Sequence, residues 1–218
     1  LQRRLLTLGS PAAAAGIELE DDTGRKLALA APAQRIVSLA PHVTEMLFAA
    51  GAGERVVGAV DYSDYPEAAQ HITRVGGYTR IDLEAVAALR PDLVIGWQSG
   101  NRDGDLARLQ ALGIPVYLSE PRNLEDVARN LERLGRLAGS ERTAQAAAST
   151  FRARREHLAA TYSGLDKVRV FYQIWDRPLM TVNDRHLIAD VILLCGGANV
   201  FGQFSPLTRP FGVEAVLA

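Results

Sequence analysis

The chain has 218 residues, 48% hydrophobic and 22% charged, a globular composition that excludes collagen, low-complexity disorder and a disulfide scaffold. Its 24 basic and 25 acidic residues give a formal net charge of -1, without the positive excess that draws a chain to nucleic acid or an anionic membrane surface. The one cysteine, Cys195, excludes an internal disulfide and any multi-cysteine metal site, and no apolar run approaches the roughly 18–20 residues that span a bilayer.

Residues 1–16, LQRRLLTLGSPAAAAG, place a basic pair, a short apolar patch and a small-residue tract in the order of an export signal. Gly9, Ser10 and Pro11 interrupt the apolar part, so the stretch reads as a signal remnant or as a disordered alanine-rich tail. Residues 17–31 predict two short strands around Asp22-Thr23-Gly24. RIVSLAP (35–41) is a buried strand, and Thr44 opens an apolar helix that ends near Gly51. A strand over 55–60, a helix over 81–90 stopped before Pro91, and a strand over 92–97 follow. Then come a helix over 106–112, a strand over 114–119 and an amphipathic helix over 123–139, with Asn123 at its start and Gly139 at its end.

Strand–helix alternation predicts an α/β lobe with a mainly parallel sheet over residues 17–139. Residues 141–163 contain neither glycine nor proline and predict one uninterrupted helix, the core of a rigid connector over 140–165. A strand over 168–174 and a helix over 186–197 then begin a second α/β lobe, 166–218. An internal echo links the lobes. IDLEAVAAL (81–89) resembles FGVEAVLA (211–218), and TEMLFAAGAGERVVG (44–58) resembles ADVILLCGGANVFG (189–202). In the first unit Glu-Ala-Val leads into Arg-Pro-Asp-Leu-Val-Ile; the second stops before such a strand, so the second lobe is expected to be truncated.

The motifs of covalent and phosphate chemistry are missing: there is no G-x-S-x-G, no G-x-x-x-x-G-K-[ST] and no G-x-G-x-x-G. Cys195 falls in an apolar helical run and reads as structural. His42, His71, His157 and His186 are scattered; His157 reads as solvated on the connector, and His42 as either facing a cleft or capping a helix. Aromatic residues collect where strands end: Tyr62 and Tyr65 in DYSDYP, Tyr78 after a double glycine, Trp97 closing DLVIGW, and Trp175 closing FYQIW. Ligands of parallel α/β sheets gather at the carboxyl ends of strands, so these rings suit a large, flat, partly apolar ligand. The alternative is that each is a core or loop anchor. Glu84 and Glu214 occupy matching first-turn positions, as helix-dipole carboxylates or as one docking charge per lobe.

These segments resemble the helical-backbone (class III) periplasmic substrate-binding proteins of ABC importers, most closely their cobalamin-binding members. The resemblance covers residues 35–218 and is carried by RIVSLAPHVTEMLFAAG, VVGAVDYSDYP, GGYTRIDLEAVAALRPDLVIGW and LGIPVYLSEPRNLEDVARNLERLG, and by VRVFYQIWDRPLMTVNDRHLIADVILLCGGANVF in the second lobe. It implies two Rossmann-like lobes joined by a long rigid helix, with cobalamin or a related corrinoid or tetrapyrrole held between them against Tyr62, Tyr78, Trp97 and Trp175. Tyr78 stands where the family has tryptophan, and Trp175-Asp176-Arg177 where it has a polar, glycine-containing segment. Glu84 and Glu214 match the two glutamates that meet permease arginines. The resemblance further implies a periplasmic monomer that is no enzyme, without catalytic cofactor or metal, delivering its ligand to an inner-membrane permease and its ATPase. Relatives that bind haem or ferric siderophores supply the alternative. Tyr62, Tyr65 or His42 would then meet iron, and Arg80 and Arg177 an anionic chelate.

Overall fold

The computed structural model describes residues 16–205 and 207–217; all but Gly16 of the signal-like stretch lies outside them. Strands β1 (Ile17–Glu20) and β2 (Lys26–Leu29) form an antiparallel hairpin. Asp21 closes its turn, with Oδ1 accepting from the backbone N–H of Thr23 at 2.9 Å and of Arg25 at 3.0 Å.

Next come β3 (Ile36–Ser38), α1 (Pro41–Ala49), β4 (Val56–Ala59) and β5 (Thr73–Arg74). The small hairpin β6 (Gly76–Gly77)/β7 (Arg80–Ile81) precedes α2 (Leu83–Ala88), β8 (Leu93–Trp97), α3 (Asp103–Ala111) and β9 (Val116–Ser119). The five strands β5-β4-β3-β8-β9 form one all-parallel sheet. Parallel sheets are covered on both faces, which is why Ile36-Val37 of β3 and Leu93-Val94-Ile95 of β8 are consecutive apolar residues rather than alternating ones. Ile36, Leu93 and Ile95 join the core on one face, together with α1 and the two helices that follow β9; Val37, Val94 and Val116 join the core on the other. Successive side chains of a strand point to opposite faces, so a single apolar run serves two cores.

Helix α1 starts at Pro41, three residues before the predicted Thr44. Proline suits the first helical position because its missing N–H would have no intrahelical partner there. Thr44 is instead buried, and its hydroxyl meets the Ser38 and Ser63 hydroxyls at 2.8 and 3.1 Å.

Helix α4 (Leu124–Ala138) begins and ends as its sequence predicts. The Asn123 side chain accepts from the Asp126 N–H, and Gly139 takes the left-handed conformation, φ 67°. Two residues later α5 (Glu141–Tyr162) turns back along it as one uninterrupted helix. Gly135 lies so close to Ala144 that a side chain there would collide with it. Further along, Glu125 meets Arg152 and Arg155 at 2.8 and 2.9 Å, while Glu132 also meets Arg152. At 1.5 Å per residue α5 outruns α4 by about 10 Å.

Past α5 lie β10 (Val168–Val170), β11 (Trp175–Asp176), β12 (Leu179–Val182), α6 (Leu187–Leu194), β13 (Gly197–Asn199), β14 (Thr208–Pro210) and the short α7 (Glu214–Leu217). β10 and β13 pair in parallel around α6, as β3 and β4 do around α1, so the sequence echo corresponds to a repeated unit. The strand predicted over 168–174 stops at Val170. Trp175 instead opens the antiparallel set β11-β12-β14, because Arg177-Pro178 turns the chain and pairs Trp175 with Met180. Cys195 is not inside α6; it caps the helix end and is exposed. Helix α6 packs on α4 and α5, and Asp190 Oδ2 accepts from the Leu124 N–H at 2.7 Å, tying the later elements to the start of α4.

Candidate ligand cleft

In chain order the parallel sheet runs third-second-first-fourth-fifth, so connections leave β3 and β8 in opposite directions. That switch point opens a crevice at the carboxyl ends of the two strands, where doubly wound sheets bind ligands. Beyond β3 the chain gives His42 on the first turn of α1; beyond β8 it gives Trp97. Their rings meet edge to face, centroids 5.2 Å apart at 85°. Tyr78, at the tip of the β6–β7 hairpin, also meets Trp97, its ring tilted at 43° with centroids 5.7 Å apart. The hairpin needs glycine at Gly76, φ +89°, where a Cβ would stand 2.6 Å from the Arg80 carbonyl.

Opposite this aromatic wall stand Arg185, His186 and Leu187, at the start of α6, and Leu207. With Glu120, Pro121 and Arg122 beyond β9, they enclose a cavity of about 240 Å³. An adjoining cavity of about 560 Å³ runs past Gln98, Asn123, Asp184 and Asp190, a volume typical of small-molecule sites. The polar groups are placed by hydrogen bonds. Glu120 accepts from the Ser99 N–H and hydroxyl at 2.9 and 3.0 Å, and its own N–H donates to Asp22 at 2.7 Å. His186 Nδ1 accepts from the Ile188 N–H at 3.1 Å, so its neutral ring carries the proton on Nε2. Burial pulls the His42 pKa down to about 4 and lowers that of His186 also, which keeps both imidazoles neutral at pH 7. His42 Nε2 is buried with no hydrogen-bond partner. Arg122 and Arg185 share the lining with Glu120, Asp184 and Asp190, so the cleft is not a field of one sign.

The structure brings Trp97 and Tyr78 together, and of the two only Trp97 lines the cavity. Tyr62 is adjacent through the backbone, since the Asp61 N–H donates to Gly76 at 2.9 Å, but its side chain is 78% exposed. It has a positive φ of 65°, and the buried Ser63 hydroxyl moors the next residue to Thr44. Trp175 is 61% exposed on β11 and belongs neither to the cavity lining nor to these ring contacts. Arg80 is exposed on β7 and Arg177 is exposed beside Asp176; the arginines of the cleft are Arg122 and Arg185. Glu84 and Glu214 are exposed in the first turns of α2 and α7. Sequence reasoning missed Glu120, Arg122, Arg185 and His186. Glu120 directly follows a strand and was open to the strand-end rule; the others carry only the weak signal of preceding a helix.

No helix among the described residues is long and apolar enough to cross a membrane, and no group of three or more His, Cys, Asp or Glu gathers there as a metal site.

A doubly wound sheet, a long helical connector and an amphipathic cleft at the switch point together define an α/β ligand-binding protein of class III periplasmic architecture. The chain belongs to the periplasmic binding protein family, whose profile matches residues 36–212. It is 41% identical over 186 residues to the vitamin B12-binding protein of Vibrio campbellii, covering 85% of this chain and 68% of that protein. The vitamin B12-binding protein of Vibrio cholerae serotype O1 is 38% identical over the same length. Among solved structures, the periplasmic vitamin B12 binding protein BtuF of Vibrio cholerae superposes with a TM-score of 0.80 at 38% identity, over 85% of this chain and 73% of that one. The periplasmic heme-binding protein RhuT from Roseiflexus sp. RS-1 superposes with a TM-score of 0.72 at 25% identity, over 84% of this chain and 72% of that one. The chain spans about two thirds of the length of the curated relatives it matches.

Proposed function

We propose that this chain is the substrate-binding component of an ABC importer, working in the periplasm as a monomer, and that its ligand is cobalamin (vitamin B12) or a related corrinoid. The observation that carries the reading is the pair His42 and Trp97 lining the cleft at the switch point, with Tyr78 against Trp97 and hydrogen-bonding side chains on the same lining. A corrin is a broad, partly apolar disc with an amide-rich edge, so rings meet its face and polar groups its rim. Tyr62 and Trp175, exposed without ligand, are the rings that it would cover. The names of the Vibrio relatives support the same ligand. The ligand leaves as it arrived: the protein is not an enzyme. Glu84 and Glu214 meet the permease, which with its ATPase takes the ligand inward.

One observation favours a second reading. The unpartnered Nε2 of His42 would suit the axial position of an iron tetrapyrrole, with Tyr62 or Tyr65 as alternatives. Titration with cyanocobalamin, followed by tryptophan quenching, separates the two. Saturable quenching supports the corrinoid, and Trp97→Ala weakens it more than Trp175→Ala does. No quenching, together with a Soret shift on adding haemin, moves the ligand to haem.

A further inference from the structure

We infer that Gly100 and Asn101 are the positioning residues of the aromatic wall, holding Trp97 and Tyr78 as one rigid surface through which they set ligand affinity. The inference rests on the reading that the ligand lies against those two rings.

Asn101 is 6% exposed, and its amide has two donors and one acceptor group. Oδ1 accepts from the Trp97 N–H at 2.7 Å. Nδ2 donates to the Leu39 carbonyl at 2.9 Å and to the Tyr78 carbonyl at 2.8 Å. One side chain therefore joins the end of β3, the end of β8 and the tip of the β6–β7 hairpin. Alanine would orphan all three backbone groups. Aspartate, of the same shape, would keep the acceptor but turn a carboxylate toward two carbonyls.

Gly100 acts by its lack of a side chain. The N–H groups of Gly100 and Asn101 both donate to the Trp97 carbonyl, at 3.3 and 3.0 Å, which curls the chain under the indole. The six-membered ring of Trp97 then occupies the place where a Cβ of residue 100 would stand. Gly100 is not in the left-handed region, so alanine meets no backbone strain there, only the ring. Gly100→Ala is thus a means of displacing Trp97 while leaving the rest of the turn in place.

The test is cyanocobalamin affinity by calorimetry for the wild type, Gly100→Ala, Asn101→Ala and Asn101→Asp, at a temperature where circular dichroism finds each folded. Gly100→Ala is expected to weaken binding about tenfold, the scale of one aromatic contact. The same substitution added to Trp97→Ala should cost nothing further, since its route runs through the indole. Asn101→Asp should bind as weakly as Asn101→Ala, because both lack the donors. Wild-type affinity in Gly100→Ala, or an equal loss with and without Trp97, overturns the inference. If the wild type itself fails to bind, the choice of ligand has failed. The positioning claim is then decided by Trp97 emission in a Trp175→Phe background, where a spectrum unmoved by both Gly100→Ala and Asn101→Ala overturns it.

Discussion

His42 shows how one residue ties the cleft to solution conditions. Its pKa is lowered to about 4 in the fold, against 6.5 for a free imidazole, so folding favours the neutral form. That preference is fully present above pH 6.5 and is eroded as pH falls from 6.5 toward 4, where the folded ring also takes a proton. The loss amounts to at most about 3 kcal/mol, since each tenfold change in proton affinity is worth about 1.4 kcal/mol. His186 is displaced in the same direction and adds to the effect. The urea midpoint should therefore fall between pH 7 and 4.5, and His42→Gln should make that fall shallower without abolishing it. Identical slopes for the two proteins would exclude His42 as a source. The same burial is not legible in the sequence, where His42 reads equally as a cleft residue or a helix cap. Its environment is made by Trp97, fifty-five positions away, which only the parallel pairing of β3 with β8 brings near.

At the scale of elements, α4 and α5 divide their stability between ends and middle. Asn123→Ala removes the acceptor for the Asp126 N–H and should cost about 1 kcal/mol, the usual worth of an N-cap. Gly135→Ala drives a methyl group into Ala144 where the two helices are closest and should cost more, about 1–3 kcal/mol, as overpacking does. Urea denaturation of both variants checks the order. Much of this level is legible in the sequence. The 141–163 window matches α5 within a residue, and Asn123 and Gly139 mark the two caps of α4. Periodicity serves less well where turns decide. Residues 171–174 have strand-like side chains, yet the hairpin around Arg177-Pro178 takes Trp175 into a different sheet. Asp103 and Asp105 carry no apolar signal, so α3 starts three residues before the apolar pattern that reveals it.

For the whole molecule, the repeated β-α-β units place one exposed first-turn glutamate after each. If Glu84 and Glu214 dock the loaded protein, Glu84→Ala with Glu214→Ala should abolish its stimulation of the transporter ATPase in proteoliposomes and leave the cyanocobalamin Kd unchanged. Stimulation equal to wild type would assign both side chains to the helix dipole alone. The near-neutral composition accords with such a division of labour, in which a few placed carboxylates, rather than a long-range field, do the recognising. The two glutamates are paired in sequence by their matching Glu-Ala-Val contexts. The cleft charges Arg122, Arg185 and Asp190 are not, because only the packing of α6 against α4 sets them facing one space.

Cys195 gives the molecule a built-in ruler. It is the chain's one thiol, it is exposed, and it sits at the far end of α6, whereas Trp97 lies at the end of β8 across the cleft. An acceptor dye on that sulfur, with Trp97 as donor in a Trp175→Phe background, converts the span between the walls into an energy-transfer efficiency. The span can then be read in the ligand-free protein under changing pH or denaturant, without introducing a foreign labelling site.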